Sequence, residues 1–279
     1  MCQTIKKAEP LLFLTDPLQS GRSIQKNNIP ESHIIHHTFV AVIVVSLIPI
    51  PFQIIALTQE RNSLFEYPQD RLVSIIRELG FRCTSCARCC THEFNGHVFL
   101  LDRDVTAVKT IDPGALEPAP YPEFCDQNGV FYVSGYALRT KGDAPGSCWF
   151  LENGRCRIYD QRFSICRIYP YMLHREPDEM GRIDWRQLSG LNEHGDYHHD
   201  IPMEEGLTLA REIKEYENAI LTQEISFLEC IQDYFAKHNL RHVQKVYDDR
   251  MRRFSRGEPV TVMVYSAGEL EENHLVKPG

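Results

Sequence analysis

The chain has no surplus of positive charge, no glycine-rich phosphate loop, no internal repeat and no methionine between Met1 and Met172. Its formal net charge is -8. Phosphate affinity depends on Lys and Arg displacing counterions, so the balance argues against a nucleic-acid binder or a general binder of anionic membranes. The missing repeat excludes a stacked-repeat architecture, and the missing loop removes the commonest nucleotide cradle. Also absent is the even spread of cysteines expected of a small secreted disulfide scaffold. What is present is enough apolar residue, 43% of 279, to bury one large domain or a domain with appendages.

Seven of the ten cysteines form one ordered array: Cys83, Cys86, Cys89 and Cys90 within eight residues, then Cys148, Cys156 and Cys166. Thiolates favour zinc, copper(I) and iron-sulfur clusters, and a C-x2-C-x2-C run lets one short loop turn three sulfurs onto one centre. The array reads as a metal site in a reducing, cytoplasmic setting. Adjacent Cys89 and Cys90 are expected to point apart, ill placed to pair or to bind one ion together. Cys2, Cys125 and Cys230 lie outside the array and read as ordinary small apolar residues.

Residues 39–57 carry no charge over 19 positions, the minimum for a membrane-spanning helix. Pro49 and Pro51 interrupt them, and the flanking charges would export the thiols. A membrane anchor is therefore possible only through residues 39–57. The other readings are a buried apolar segment and a true start at a non-Met codon within 40–47. We divide the chain into an N-terminal extension (1–60), a cysteine-cluster domain (61–175) and a helical C-terminal region with a late strand (176–279).

The expected fold class is α+β: a small cysteine-rich metal-binding core with short β-hairpins, flanked by helices, and a long C-terminal amphipathic helix. Residues 67–79 have helical apolar spacing and end at Gly80 in a capping position, delivering the chain into the array. A short strand over 97–101, a helix from Asp102 or Asp104 to Ile111 and a proline-rich loop over 113–122 follow. Residues 130–140 read as a strand paired back on the preceding segment. Residues 204–239 fit one amphipathic helix or two, and residues 260–265 a late strand before an acidic, frayed end. That helical region is either a docking surface or simple packing.

The hairpin around Asn153-Gly154 constrains the chemistry. A two-residue turn pairs Leu151 with Cys156 and, by strand parity, sets Cys148 and Cys156 on opposite faces. A bulged three-residue loop pairs Glu152 with Cys156 and brings both sulfurs to one face, and is preferred if they share a site.

Phe81-Arg82-Cys83-x2-Cys86-x2-Cys89-Cys90, then Cys148-x-Phe150-Leu151, Gly154-x-Cys156-x-Ile158-Tyr159-x2-Arg162 and Cys166-Arg167-x-Tyr169-Pro170 resemble the YkgJ-like cysteine-cluster family of zinc- or iron-chelating domains. The resemblance spans about residues 81–170. Phe163 stands where that family usually has proline. It implies a ligand set, Cys83, Cys86, Cys89, Cys90, Cys148, Cys156 and Cys166, rather than a reaction. A related cluster occurs in flagellin lysine N-methylases, but no cofactor motif here carries that activity over.

Seven thiolates exceed the four that one zinc ion takes, so two centres, or one with spare or bridging thiolates, are both open. Arg82, Arg88, Arg155, Arg157, Arg162 and Arg167 stand beside the cysteines, and at least two are expected to face the thiolates and offset their charge. His92 reads as a hydrogen-bonded imidazole or an auxiliary ligand. His97 and His174 are further candidate ligands. His194, His198 and His199, with Glu193, Asp196 and Asp200, read as a solvated loop or a site for a harder metal. No catalytic nucleophile order is assignable. The expected function is a metal-binding protein holding an iron-sulfur cluster or Zn2+. It would serve as an electron-transfer or oxidoreductase accessory with an unidentified redox or docking partner. The alternatives are a structural zinc module for protein interaction or metal handling, and a cluster-bearing methyltransferase-like enzyme.

Overall fold

The computed structural model describes residues 6–7, 11–12, 48–92, 96–171, 173–177, 183–187 and 194–276. Three apolar clusters organise it, and the cysteine array lies where two of them meet.

The largest sheet gathers β1 (Lys6–Lys7), β2 (Leu11–Leu12), β5 (Phe124–Cys125), β6 (Phe131–Ser134), β12 (Val260–Ser266) and β13 (Glu269–Val276). Its main path runs β1-β13-β12-β6-β5, with β2 also on β13. Beyond it lies a three-stranded sheet in the order β3-β7-β4, from Phe99–Leu100, Tyr136–Leu138 and Leu116–Pro118, and β10 (Leu173–Pro177) pairs antiparallel with β11 (Ile183–Gln187) as a separate ribbon. The expected strand over 130–140 is thus two strands, β6 and β7, in different sheets. Gly135, at φ +86, makes the break. A Cβ there would stand 2.6 Å from Gln223 Nε2. As expected, the first half pairs back on the preceding segment, Phe124 opposite Tyr132.

Two expectations about termini and loops are corrected. The acidic end is not frayed: Glu269–Val276 pairs along all of β12, because Leu270, Asn273 and Leu275 turn inward while the carboxylates take the other positions. The proline-rich loop contains β4, whose Leu116 and Glu117 pair with Leu138 and Ala137.

The helices expected over 67–79, to Ile111 and over 204–239 are present, and three others join them among the described residues. We label them α1 (Ile50–Glu66), α2 (Gln69–Leu79), α3 (Asp102–Ile111), α4 (Ser164–Ile168), α5 (Met203–His238) and α6 (Gln244–Ser255). Helix α5 is one continuous helix closed by Asn239 in the left-handed region. It packs α1 and α2 along one face and supplies Ala210, Ile213 and Tyr216 to the second cluster and Phe227, Leu228 and Ile231 to the third. Part of the apolar stretch at 39–57 enters α1, which begins directly after Pro49, where prolines are tolerated. The rest lies outside the described residues. No helix among the described residues is long and apolar enough to cross a membrane. The architecture is α+β with a long C-terminal helix, as expected.

Candidate metal centre

Four segments converge on the cysteines. The first leaves α2 through Gly80, whose φ of +53 caps the helix. A Cβ on Gly80 would meet the His199 carbonyl oxygen at 2.1 Å, so glycine allows the 194–199 segment to lie against the helix end. The chain then coils from Cys83 to Cys90, with Ser85 and Ala87 at φ +56 and +63. A single 3-10 turn, Arg88–Cys90, closes it. Contrary to the expectation from their adjacency, Cys89 and Cys90 do not point apart: the coiled backbone turns both to one cavity. Each shifts the protonation of the other.

The second segment lies antiparallel to the first. Cys148 N donates to Cys90 O at 2.7 Å and His92 N to Gly146 O at 2.9 Å. Asp112 fixes it from outside, accepting from Trp149 Nε1 at 2.8 Å and lying 3.6 Å from Arg157. The following hairpin, β8 (Leu151–Glu152) and β9 (Arg155–Cys156), pairs Leu151 with Cys156 across Asn153 and Gly154, both at positive φ. This is the two-residue turn and not the preferred bulge. Yet Cys148 and Cys156 line one cavity. Parity fails because Leu151 N bonds back to Cys148 O at 2.9 Å, so a turn separates Cys148 from the ribbon.

The third segment is α4, which carries Cys166. Buried Asp104 of α3 accepts from Ser164 N at 3.2 Å and Ser164 Oγ at 3.0 Å, pinning the helix start. Phe163, the departure from the family pattern, is buried, stacks 5.8 Å from Phe150 and forms part of the cavity wall.

The fourth segment was read as a solvated loop or hard-metal site; Asp196, His198, His199 and Asp200 are solvent-exposed, while His194 departs from that reading. Asp196 pairs with Arg82 as a β-bridge, 2.8 and 2.9 Å, and its carboxylate meets His199 at 2.8 Å. His194 is buried, and with Gly195 it closes one side of the cysteine cavity. The signal available in the sequence was Gly195 beside aromatic residues, since φ +74 there admits the Phe81 ring. Glu193 and the side chain of His174 lie outside the described residues.

All seven predicted cysteines line this cavity of about 90 Å³, together with Phe81, Phe150, Phe163, Tyr159 and Arg162. Cys83 and Cys86 are exposed at its rim and the other five are half-buried. The sulfurs ring the space: among the described residues no three Cys, His, Asp or Glu side chains close on one point. Of the six arginines, Arg162 alone lines the cavity, which corrects the expectation of at least two. Arg82 instead forms a bidentate pair with Glu205, Arg157 meets Glu152 at 3.1 Å, and Arg167 lies 4.0 Å from Glu212. His92 Nε2 lies 3.0 Å from His97 Nε2, engaged as a hydrogen-bonded imidazole.

The thiols feel one another. Burial, then the charges of Cys90 and Cys156, pushes Cys148 up to about 11. Cys166 rises well above the thiol range through burial and then Cys148, Cys90 and Cys156, with Arg162 opposing. In the Cys89–Cys90 pair, the shared hydrogen bond holds Cys89 as the thiol and draws Cys90 down to about 7, helped by Arg162. Burial raises Cys86, but backbone amides of Arg88 and Gly195 outweigh it and lower the thiol overall. Several thiols held neutral around one space are a donor set that a cation would convert to thiolates, so the residues fit a thiophilic metal. Outside the array, Cys125 is buried in the first cluster and Cys230 in the third. Cys230 is disulfide-bonded, so it is not the plain apolar residue expected. Cys2 lies outside the described residues.

Residues 82–188 match the family model CxxCxxCC, whose description is "Putative zinc- or iron-chelating domain". No curated protein matches the chain. Nor does any solved structure.

Proposed function

Because residues 82–188 belong to the CxxCxxCC zinc- or iron-chelating family, we propose that Cys83, Cys86, Cys89, Cys90, Cys148, Cys156 and Cys166 hold an iron-sulfur centre through which the protein passes electrons to a partner. The observation that carries this is the convergence of all seven thiols on one apolar-walled cavity. Seven sulfurs exceed the four that one zinc ion or one cluster takes and so suffice for more than one centre, and an apolar wall limits water at a redox centre. When bound, such a centre supplies one-electron chemistry.

The chain's own residues set its surroundings. Arg162 Nε donates to Tyr159 O at 3.0 Å, and its guanidinium lies 4.0 Å from the Tyr159 ring centroid. So held, it helps to lower Cys90 and opposes the burial that raises Cys156 and Cys166. Tyr159 hydrogen-bonds Cys83 at the rim. Phe81, in edge-to-face contact with Tyr169 and Tyr197, forms part of the cavity wall. Exposure of Cys83 and Cys86 favours a second reading, a zinc-handling module in which rim thiols exchange metal with a partner.

Anaerobic reduction separates the two. Protein that changes absorption and gains an electron paramagnetic resonance signal with dithionite supports the redox reading. Metal-loaded protein that is colourless and silent under the same treatment supports zinc.

A further inference from the structure

A second cavity, of about 680 Å³, lies beside the cysteine site. His92, Thr140 and Gly146 line it and also line the crevice containing Cys89, Cys90 and Cys148. Its floor is apolar: Phe131, Val262 and Leu275 from the main sheet, with Met251 and Phe254 from α6. Size and lining fall in the range of small-molecule sites, which pair an apolar body with a few placed polar groups.

The polar group that stands out is Glu117 in the middle of β4. It is 3% exposed and lines the cavity. Among the described residues its carboxylate has neither a hydrogen bond nor an ion pair. Arg139 is the nearby cation and opposes the effect of burial, but it donates to Leu116 O at 3.3 Å and lies over the Trp149 ring. Further polar groups of the lining have partners, although His97 Nδ1 is buried without a hydrogen bond. Asp143 accepts from Ser147 N at 2.6 Å, and His92 and His97 hold each other. A carboxyl group this buried and without a donor is most stable as the neutral acid, and a cation seated beside it would supply the charge that holds it ionised, releasing its proton.

We propose that this cavity binds a small organic cation, an ammonium or amidinium group on an apolar body, with Glu117 receiving the charge and the Phe131, Val262 and Phe254 floor taking the body. A bound cation would lie next to the segment carrying Cys90, where a substrate or effector of the centre would be placed. The binding claim itself stands without the metal.

Calorimetric titration of the full chain with phenethylammonium and with its neutral counterpart 2-phenylethanol tests this. We expect saturable one-to-one binding of the cation and at least about tenfold weaker binding of the alcohol, as for loss of a charged hydrogen bond. Glu117→Gln should abolish the preference, and Ala144→Trp, placed on the exposed rim, should weaken both ligands. Equal affinity for the two compounds, an unchanged preference in Glu117→Gln, or no binding of the cation at millimolar concentration would overturn the proposal. Should Glu117→Gln fail to fold, undiminished binding to Ala144→Trp would overturn it as well.

Discussion

Gly195→Ala probes how the 194–199 loop holds the cysteine cavity. The residue sits at φ +74, where an L side chain is strained by ~1–2 kcal/mol. An added Cβ would lie 2.2 Å from Phe81 Cε2, 2.8 Å from Cζ and 3.1 Å from Arg82 O. The ring has little room to retreat, with the Tyr169, His194 and Tyr197 ring centroids 6.2, 6.1 and 5.3 Å away. Overpacking of this kind costs ~1–3 kcal/mol, so the total should be about 2–5 kcal/mol. The Gly195 amide that favours the Cys86 thiolate would also be displaced. Urea denaturation of the full chain should show the destabilisation, and alkylation of Cys86 in metal-free protein should slow. Removing the ring in Phe81→Ala/Gly195→Ala should recover part of the loss, because the two changes share one contact. A loss below ~0.5 kcal/mol, the size of an ordinary surface change, with unaltered Cys86 alkylation, would refute the reasoning.

Other outcomes follow from the same geometry. Cys86→Ser and Cys166→Ser should each lose metal and solubility, while Cys125→Ala, remote from the cavity, should keep its metal; equal metal content in all three would undo the ligand assignment. Arg162→Gln should move the alkylation midpoint of Cys90 to higher pH, and a midpoint that stays or falls would exclude Arg162 as the offsetting charge. Burial raises Glu117 and Glu123 to about 8 and Glu217 and Glu224 to about 7. The folded chain therefore keeps protons that the unfolded chain releases near pH 4.5, and stability should fall as pH rises from about 5 to 8, by up to ~1.4 kcal/mol per unit of each shift. Denaturation series in metal-free protein at pH 5.5 and 8.5 measure this, and Glu224→Gln should flatten the slope; a slope of the opposite sign in both proteins would show these carboxyls to be solvated.

Helices α2, α3 and α5 and the cysteine array were legible because their signals are local, whereas α1, α4 and α6 were not read. Gly80 and Asn239 mark helix ends, the apolar period of residues 203–238 marks one buried face, and thiol spacing marks chemistry. What sequence reading missed depends on contacts between distant segments. The acidic β13 is a strand because β12 pairs with it, not because its residues favour one. The 194–199 segment is polar by composition, yet its backbone pairs with Arg82 and abuts Gly80. Counting alternation from Cys156 to Cys148 failed at one turn, where strand parity ceases to apply. The second cavity had no sequence signal, since an unpartnered Glu117 becomes visible only once β4 is placed against β7.

The most direct test of the central claim is iron, zinc and acid-labile sulfide analysis, with an absorption spectrum, on full-length protein purified without oxygen and without a metal-binding tag. The account requires stoichiometric metal, and for the iron-sulfur reading matching sulfide with a broad band near ~400 nm from thiolate-ligated clusters. Folded protein with neither iron nor zinc in stoichiometric amount, and all seven thiols of the array open to alkylation, would contradict it.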